Sequence, residues 1–294
     1  MKLVSSNDKI ATPESDPAQK PASVKAAEDR YMQGDREPAT SSVLISNSKY
    51  LNNPLYRDAF IQASLRRFGH DLPPTYHIPW MVRAIDEVTD RAEIQRLIDE
   101  EKARSPEFAA WLKERRLSRY VAAEMGHYAD GTLGAAIRTF IQQPGFEIEF
   151  IHKDTVPATD LEYIVKRNSA THDIHHMVTG FGPNTAGEAA LAFMNVAANS
   201  KFFSPALAQW STAHNVFVSA AGYKRTALHY HGMMPTYLDA IQRGIAAGLG
   251  IKRPLLITQW EDYLDWQLDD IAADLGFARG PDETWHWTTE AGMG

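Results

Sequence analysis

The stretch Thr159-Asp160-Leu161-Glu162-Tyr163-Ile164-Val165-Lys166-Arg167-Asn168-Ser169-Ala170-Thr171-His172-Asp173-Ile174-His175-His176-Met177-Val178-Thr179-Gly180 decides how this chain reads. Its beginning offers a cap, because Thr159 or Asp160 can accept hydrogen bonds from the first helical N–H groups. Its end offers a stop in Gly180 and Gly182, which tolerate the backbone turn that leaves a helix. Between them, Leu161, Ile164, Val165, Ile174, Met177 and Val178 supply apolar positions. The pattern predicts a helix from about Asp160 to Thr179. Pro183-Asn184-Thr185 then opens a second helix, in which Thr185-Ala186-Gly187-Glu188 has capping-box spacing.

On such a helix, His172 and His176 stand one turn apart on one face, with Asp173 beside them at the i, i+3 offset from His176. Glu188 falls in the first turn of the next helix. Two imidazoles and two carboxylates can therefore converge, which predicts a divalent metal held by His172, Asp173, His176 and Glu188. Bland uses compete: Glu188 could simply bond the Thr185 N–H, and His-x-x-x-His pairs arise by chance. Asp173 takes the place of the Glu in a His-Glu-x-x-His motif. One methylene shorter, it is better placed to bind or orient a metal than to reach a water. His175 points off this face and reads as a surface group or a support for the ligands. Cysteine is absent, so thiolate zinc sites, iron–sulfur clusters and disulfides are excluded. Imidazole with carboxylate suits Zn, Fe or Mn, and these residues alone do not choose among them.

The 294 residues, 44% hydrophobic, can bury one large core or two modest ones. A formal charge of −7 with no long basic stripe argues against a nucleic-acid partner. The cluster Lys113, Arg115, Arg116 and Arg119, interrupted by Glu114, reads as a solvated helix face. Residues 1–45, rich in Ser, Pro and charged residues, read as a disordered extension. They carry no apolar signal core, and their acidic residues fit a transit peptide poorly, so a cytoplasmic protein is expected. Residues 46–280 read as a single all-α domain with a metal site between two helices, and 281–294 as a tail. Helices are expected from Trp80 to about Val88, Arg91 to Arg104, Ser105 to Met125, and from Gly131-Thr132-Leu133-Gly134 to about Gln143. The Pro-rich link from Leu72 to Pro79 breaks the pattern. Phe146 to Ile151 alternates, but without a partner strand it reads as an extended connector.

Between Ala189 and Tyr223 the only formally charged side chain is Lys201. A membrane span is disfavoured by Pro205, Gln209, Ser211, Thr212, His214 and Asn215. The stretch reads as buried core, compatible with an apolar groove lined by Phe193, Met194, Phe202, Phe203, Trp210 and Phe217. For the amphipathic run Tyr237, Leu238, Ile241, Ile245 and Leu249, core packing is expected.

The pattern His172-Asp173-x-x-His176, then eleven residues and Glu188, resembles the hallmark of the fourth coenzyme Q (ubiquinone) biosynthesis protein family. Gly131-Thr132-Leu133-Gly134, Tyr163-Ile164-Val165-Lys166-Arg167, Lys252-Arg253-Pro254-Leu255 and Trp260-Glu261 also look like that family's segments. The resemblance spans roughly Trp80 to Phe277. It implies an all-helical fold, a zinc-like ion, and a channel for a polyprenylated quinone precursor. It also implies replacement of a ring carboxylate by a hydroxyl, other ubiquinone-biosynthesis proteins as partners, and a homodimer. Peripheral contact with the inner face of the cell membrane is a further implication. His175 and His214 become candidates to assist proton traffic, although each also reads as structural. Where family members often carry a further Arg and Glu before the motif, this chain has Asn168-Ser169-Ala170-Thr171.

Three functional readings follow. The leading one is a metal-dependent decarboxylase or hydroxylase of a prenylated aromatic acid. A non-catalytic prenyl-lipid scaffold with a structural metal is the alternative. A hydrolase using metal-bound water is the third, weakened by the lack of a recognisable general base.

Overall fold

A computed structural model describes residues 48–65, 78–143, 148, 152 and 155–280. Along the chain run α1 (Lys49–Asn52), α2 (Pro54–Leu65), α3 (Ile78–Glu87), α4 (Arg91–Arg104), α5 (Pro106–Glu114) and α6 (Leu133–Ile141). They are followed by α7 (Asp160–Thr179), α8 (Thr185–Phe202), α9 (Pro205–Ser211), α10 (Ala213–His229), α11 (Met234–Gly250) and α12 (Leu268–Leu275). Short 3-10 turns join several of them. The described residues contain no strand, only an isolated bridge between Thr132 and Gln267. The expected all-α class is what the chain adopts. The expected extension 1–45, the tail 281–294, and nearly all of the Pro-rich link and of the Phe146–Ile151 connector lie outside the described residues.

Local chemistry sets the helix limits. Asp90 caps α4 by accepting from the Ala92 and Glu93 N–H groups, and Ser105 caps α5 by accepting from Phe108 N–H. Helix α5 ends at Glu114, well short of the expected Met125. Arg115 turns left-handed there, with φ 46°, and its guanidinium reaches Asp160 at 2.6 Å. Arg116 pairs with Asp262 at 2.5 Å. The basic cluster is therefore not one solvated helix face: three of its members lie beyond the helix end, and two of these, Arg115 and Arg116, tie the chain to distant carboxylates.

Three apolar cores result. One gathers Tyr56, Ala59 and Ala63 of α2, Met81, Ala84 and Ile85 of α3, and Ala213, Phe217 and Ala221 of α10. The second joins α4 and α5 to Leu161, Tyr163 and Ile164 of α7, with Phe203 and Leu207. The third, the largest, holds Ile174 and Val178 of α7, Ala190, Leu191 and Met194 of α8, and Ala240 and Ala247 of α11. Helix α7 thus serves two cores, one with each half.

Helices α8 and α11 make the most extensive helix pair. A Cβ on Gly244 would overlap the Ala190 carbonyl, and one on Gly248 would overlap that of Met194. Glycine at these two positions lets the backbones touch. The small residues of α11 therefore face inward, and Leu238, Ile245 and Leu249, expected in the core, are 50%, 38% and 59% exposed. Among the described residues, no helix is long and apolar enough to cross a membrane.

Candidate metal centre

Helix α7 begins at a capping box the sequence pattern did not single out. The Thr159 side chain accepts from Glu162 N–H, and the Glu162 carboxylate accepts from Thr159 N–H. It ends at Gly180, left-handed at φ 69°. Both ends fall where the sequence places them, so His172 and His176 are one turn apart, their rings at 88° with centroids 4.7 Å apart.

The five-residue link to α8 brings Glu188 to them. Asn184 caps α8, accepting from Ala186 N–H and Gly187 N–H at 3.0 Å. The expected capping box at Thr185 does not form: Asn184 serves the first turn, and the Glu188 carboxylate turns to the histidines instead. Glycine is required at 187, where a Cβ would overlap the Gly182 carbonyl. That close approach folds the link flat against the first turn of α8.

Three donor atoms converge. Nε2 of His172 lies 3.2 Å from Nε2 of His176. Glu188 Oε1 is 3.2 Å from His176 Nε2, and its Oε2 is 3.6 Å from His172 Nε2. Two ligands bound at about 2.0–2.1 Å on a tetrahedral ion stand roughly 3.3–3.4 Å apart. The triangle of donors fits a divalent cation. Side-chain exposure is 6% for His176 but 47% for His172 and 41% for Glu188, so one side of the triangle faces solvent.

His176 is held from behind. Its Nδ1 lies 2.6 Å from the Phe181 carbonyl oxygen. A carbonyl can only accept, so Nδ1 carries the proton and the Nε2 lone pair points at the triangle. Withdrawal from water opposes the His172 imidazolium, but the charge and hydrogen bond of Glu188 prevail and raise its pKa above the ordinary value. The same withdrawal opposes the Glu188 carboxylate, yet the His176 and His172 rings hold it well below the usual carboxylate range. Each partner thus favours the charged form of the other when no cation is there.

Asp173 stands outside the group of donors that closes within 4.8 Å. Burial raises its pKa, opposed by the pull of His172 and His176. His175 is 2% exposed, not on the surface, and packs against Trp260 with centroids 5.5 Å apart; desolvation lowers its pKa well below the ordinary value. His214 lies in the first turn of α10, with Asp86 of α3 as its charged neighbour, and desolvation lowers its pKa. Five of the six apolar candidates are distributed over the three cores. Met194 and Phe202 belong to the large core, Phe203 and Trp210 to the second, and Phe217 to the third, while Phe193 is half-buried on α8.

Arg167, in the sequence just one residue of a family-like segment, has a structural role that local pattern does not announce. Buried at 2% exposure, it forks onto Glu261 at 2.6 and 2.9 Å and also donates to the carbonyls of Arg116 and Thr258 at 3.1 Å. It locks the C-terminal part of the chain onto the helix that carries the histidines.

Among curated proteins nothing matches this chain. A crystal structure of a Nostoc punctiforme protein named for ubiquinone biosynthesis is similar, with a TM-score of 0.56 and 24% identity, over 75% of this chain and 95% of that one. At that identity it supports the all-helical architecture alone. Residues 77–281, which contain every donor named above, match the family described as coenzyme Q (ubiquinone) biosynthesis protein Coq4. The chain belongs to that family, and its role lies in ubiquinone biosynthesis.

Proposed function

We propose that this protein is a metal-dependent enzyme that replaces the ring carboxylate of a polyprenylated aromatic acid by a hydroxyl group. The observation that carries the reading is the triangle of His172, His176 and Glu188, with one solvent-facing side. A divalent ion there, zinc before iron or manganese, would supply positive charge to hold and orient an anionic head group. His176 is the fixed ligand, buried and oriented by Phe181. His172 and Glu188 form the open edge at which a substrate carboxylate would arrive. Asp173, outside that triangle and with its pKa raised by burial, would hold a proton near the ring, or join as a fourth ligand once its side chain swings in. The overall change balances with water supplying the hydroxyl oxygen and dioxygen taking up the two electrons and two protons as hydrogen peroxide, while the carboxyl group leaves as carbon dioxide.

The test combines metal analysis of purified protein with aerobic turnover of a short-chain prenylated hydroxybenzoate. One ion per chain and hydroxylated product are expected, with both lost in His172→Ala and Glu188→Ala. Unchanged turnover in both variants would refute the reading. Stoichiometric metal and a co-purifying prenyl lipid, with no conversion, would replace the enzyme by a scaffold that presents precursors to other ubiquinone-biosynthesis proteins.

A further inference from the structure

The end of α7 is bound by a piece of chain from a hundred residues away. Helix α7 leaves its last carbonyls without intrahelical partners, as every helix does. Arg279 supplies them: its Nε donates to the Val178 carbonyl at 3.2 Å and Nη2 to that of Met177 at 3.0 Å, while Nη1 reaches the exposed Asp269 at 3.2 Å. Gly280 N–H donates to the Thr179 carbonyl at 2.6 Å. Three consecutive carbonyls, Met177 to Thr179, are therefore held by two consecutive residues. A guanidinium at this end also suits the negative pole of the helix.

The strap reaches the histidine through one more contact. A Cβ on Gly280 would overlap Cδ1 and Cε1 of the Phe181 ring, so that ring packs directly against the Gly280 backbone. Phe181 is 1% exposed, and its N–H donates to Thr179 Oγ1 at 3.3 Å. Its carbonyl is the acceptor that holds His176 Nδ1. The direction of that carbonyl depends on the left-handed Gly180 and on whatever fixes Phe181, and the strap fixes both neighbours.

We infer that Arg279 and Gly280 are positioning residues for His176: they clamp the end of α7 and the Phe181 ring, so that the Phe181 carbonyl selects one imidazole tautomer and aims Nε2 at the donor triangle. The inference rests on the metal-centre reading for its purpose, but the clamp acts on the metal-free protein and can be tested there.

The experiment records the nitrogen–proton correlations of the histidine rings in metal-free full-length protein, at mildly alkaline pH where imidazoles are neutral. The wild type should show His176 as a single Nδ1–H tautomer. Arg279→Ala should give a mixed or inverted pattern at His176 and weaken Zn(II) binding by about tenfold to a hundredfold, the range for groups that orient a metal ligand. Arg279→Lys, which keeps the charge and one donor, should recover part of both. Ile85→Val, in the core of α2, α3 and α10, serves as the control for lost stability and should leave the tautomer and the affinity alone. An unchanged single tautomer in Arg279→Ala overturns the inference. So does an equal loss in Ile85→Val, which would mean that general destabilisation moves the ring. A wild type that shows the tautomer shift on mutation yet binds no Zn(II) keeps the clamp and rejects the metal centre.

Discussion

The two halves of α7 each anchor a polar cluster, and the two clusters are of opposite character. In the first half Arg167 meets Glu261 in a bidentate pair, and two carbonyls take the other Nη protons, so both charges are paired although the Arg167 Nε–H is left without an acceptor among the described residues. In the second half His172, His176 and Glu188 aim lone pairs at a common point, and two of the three side chains face solvent. Burial and charge alone would rank Arg167 as the more conspicuous residue. What separates a structural knot from a ligand site is whether donors and acceptors close on one another or leave a shared place for a third party.

The first way to break the comparison is to open the closed half. Arg167→Ala leaves the partly buried Glu261 with Ser118 as its remaining side-chain donor, opens a cavity beside it, and should cost about 3 kcal/mol in denaturant unfolding. The same measurement on Glu188→Ala should show little loss in metal-free protein. Instead, Zn(II) affinity measured by chelator competition should fall at least about a hundredfold, roughly 2.7 kcal/mol. A large stability loss in Glu188→Ala would place both halves in the same class. Gly187→Ala tests the link between them: the new Cβ must displace the Gly182 carbonyl. A cost of about 1–3 kcal/mol is expected, with weaker metal binding because Glu188 shifts.

The smallest effect, and the one that sharpens the contrast, is on pH. Burial opposes the Glu261 carboxylate, but the hydrogen bonds and charge of Arg167 lower its pKa. Its contribution is therefore fully present above the ordinary carboxylate range and lost as pH falls through the lowered value. His172 is shifted the other way. In metal-free protein its contribution is present below the ordinary histidine value and lost as pH rises through the raised one. Zn(II) requires neutral rings, so affinity should climb across that same window. Metal-free stability and metal affinity should thus run in opposite directions between mildly acidic and mildly alkaline pH. Parallel curves would mean that His172 is not a ligand.

Much of this was legible in the chain. The limits of α7 follow from Thr159 and Gly180, and the His172–His176 face from helical spacing, because both are local rules. The placement of Glu188 was legible only in part. Asn184 and Thr185 are both good caps, and the choice of Asn184 freed the carboxylate. Long-range closure was not legible: nothing near Arg167 announces Glu261, and nothing near His176 announces Arg279. The inward face of α11 misled for a physical reason. Hydrophobic periodicity marks large apolar side chains, whereas here close backbone contact selected Gly244, Ala247 and Gly248 for the interior and turned Leu238, Ile245 and Leu249 outward.

The glycines of α11 have one more implication. With main chain pressed on main chain at Ala190 and Met194, no flexible side chain is left in between to absorb a slide or tilt of α8. Glu188, two residues before Ala190, is thus carried on a helix that has little slack there. The turn after α7 is clamped as well, by Arg279 and Gly280, so the room to admit a bulky guest lies with the half-exposed His172 side chain.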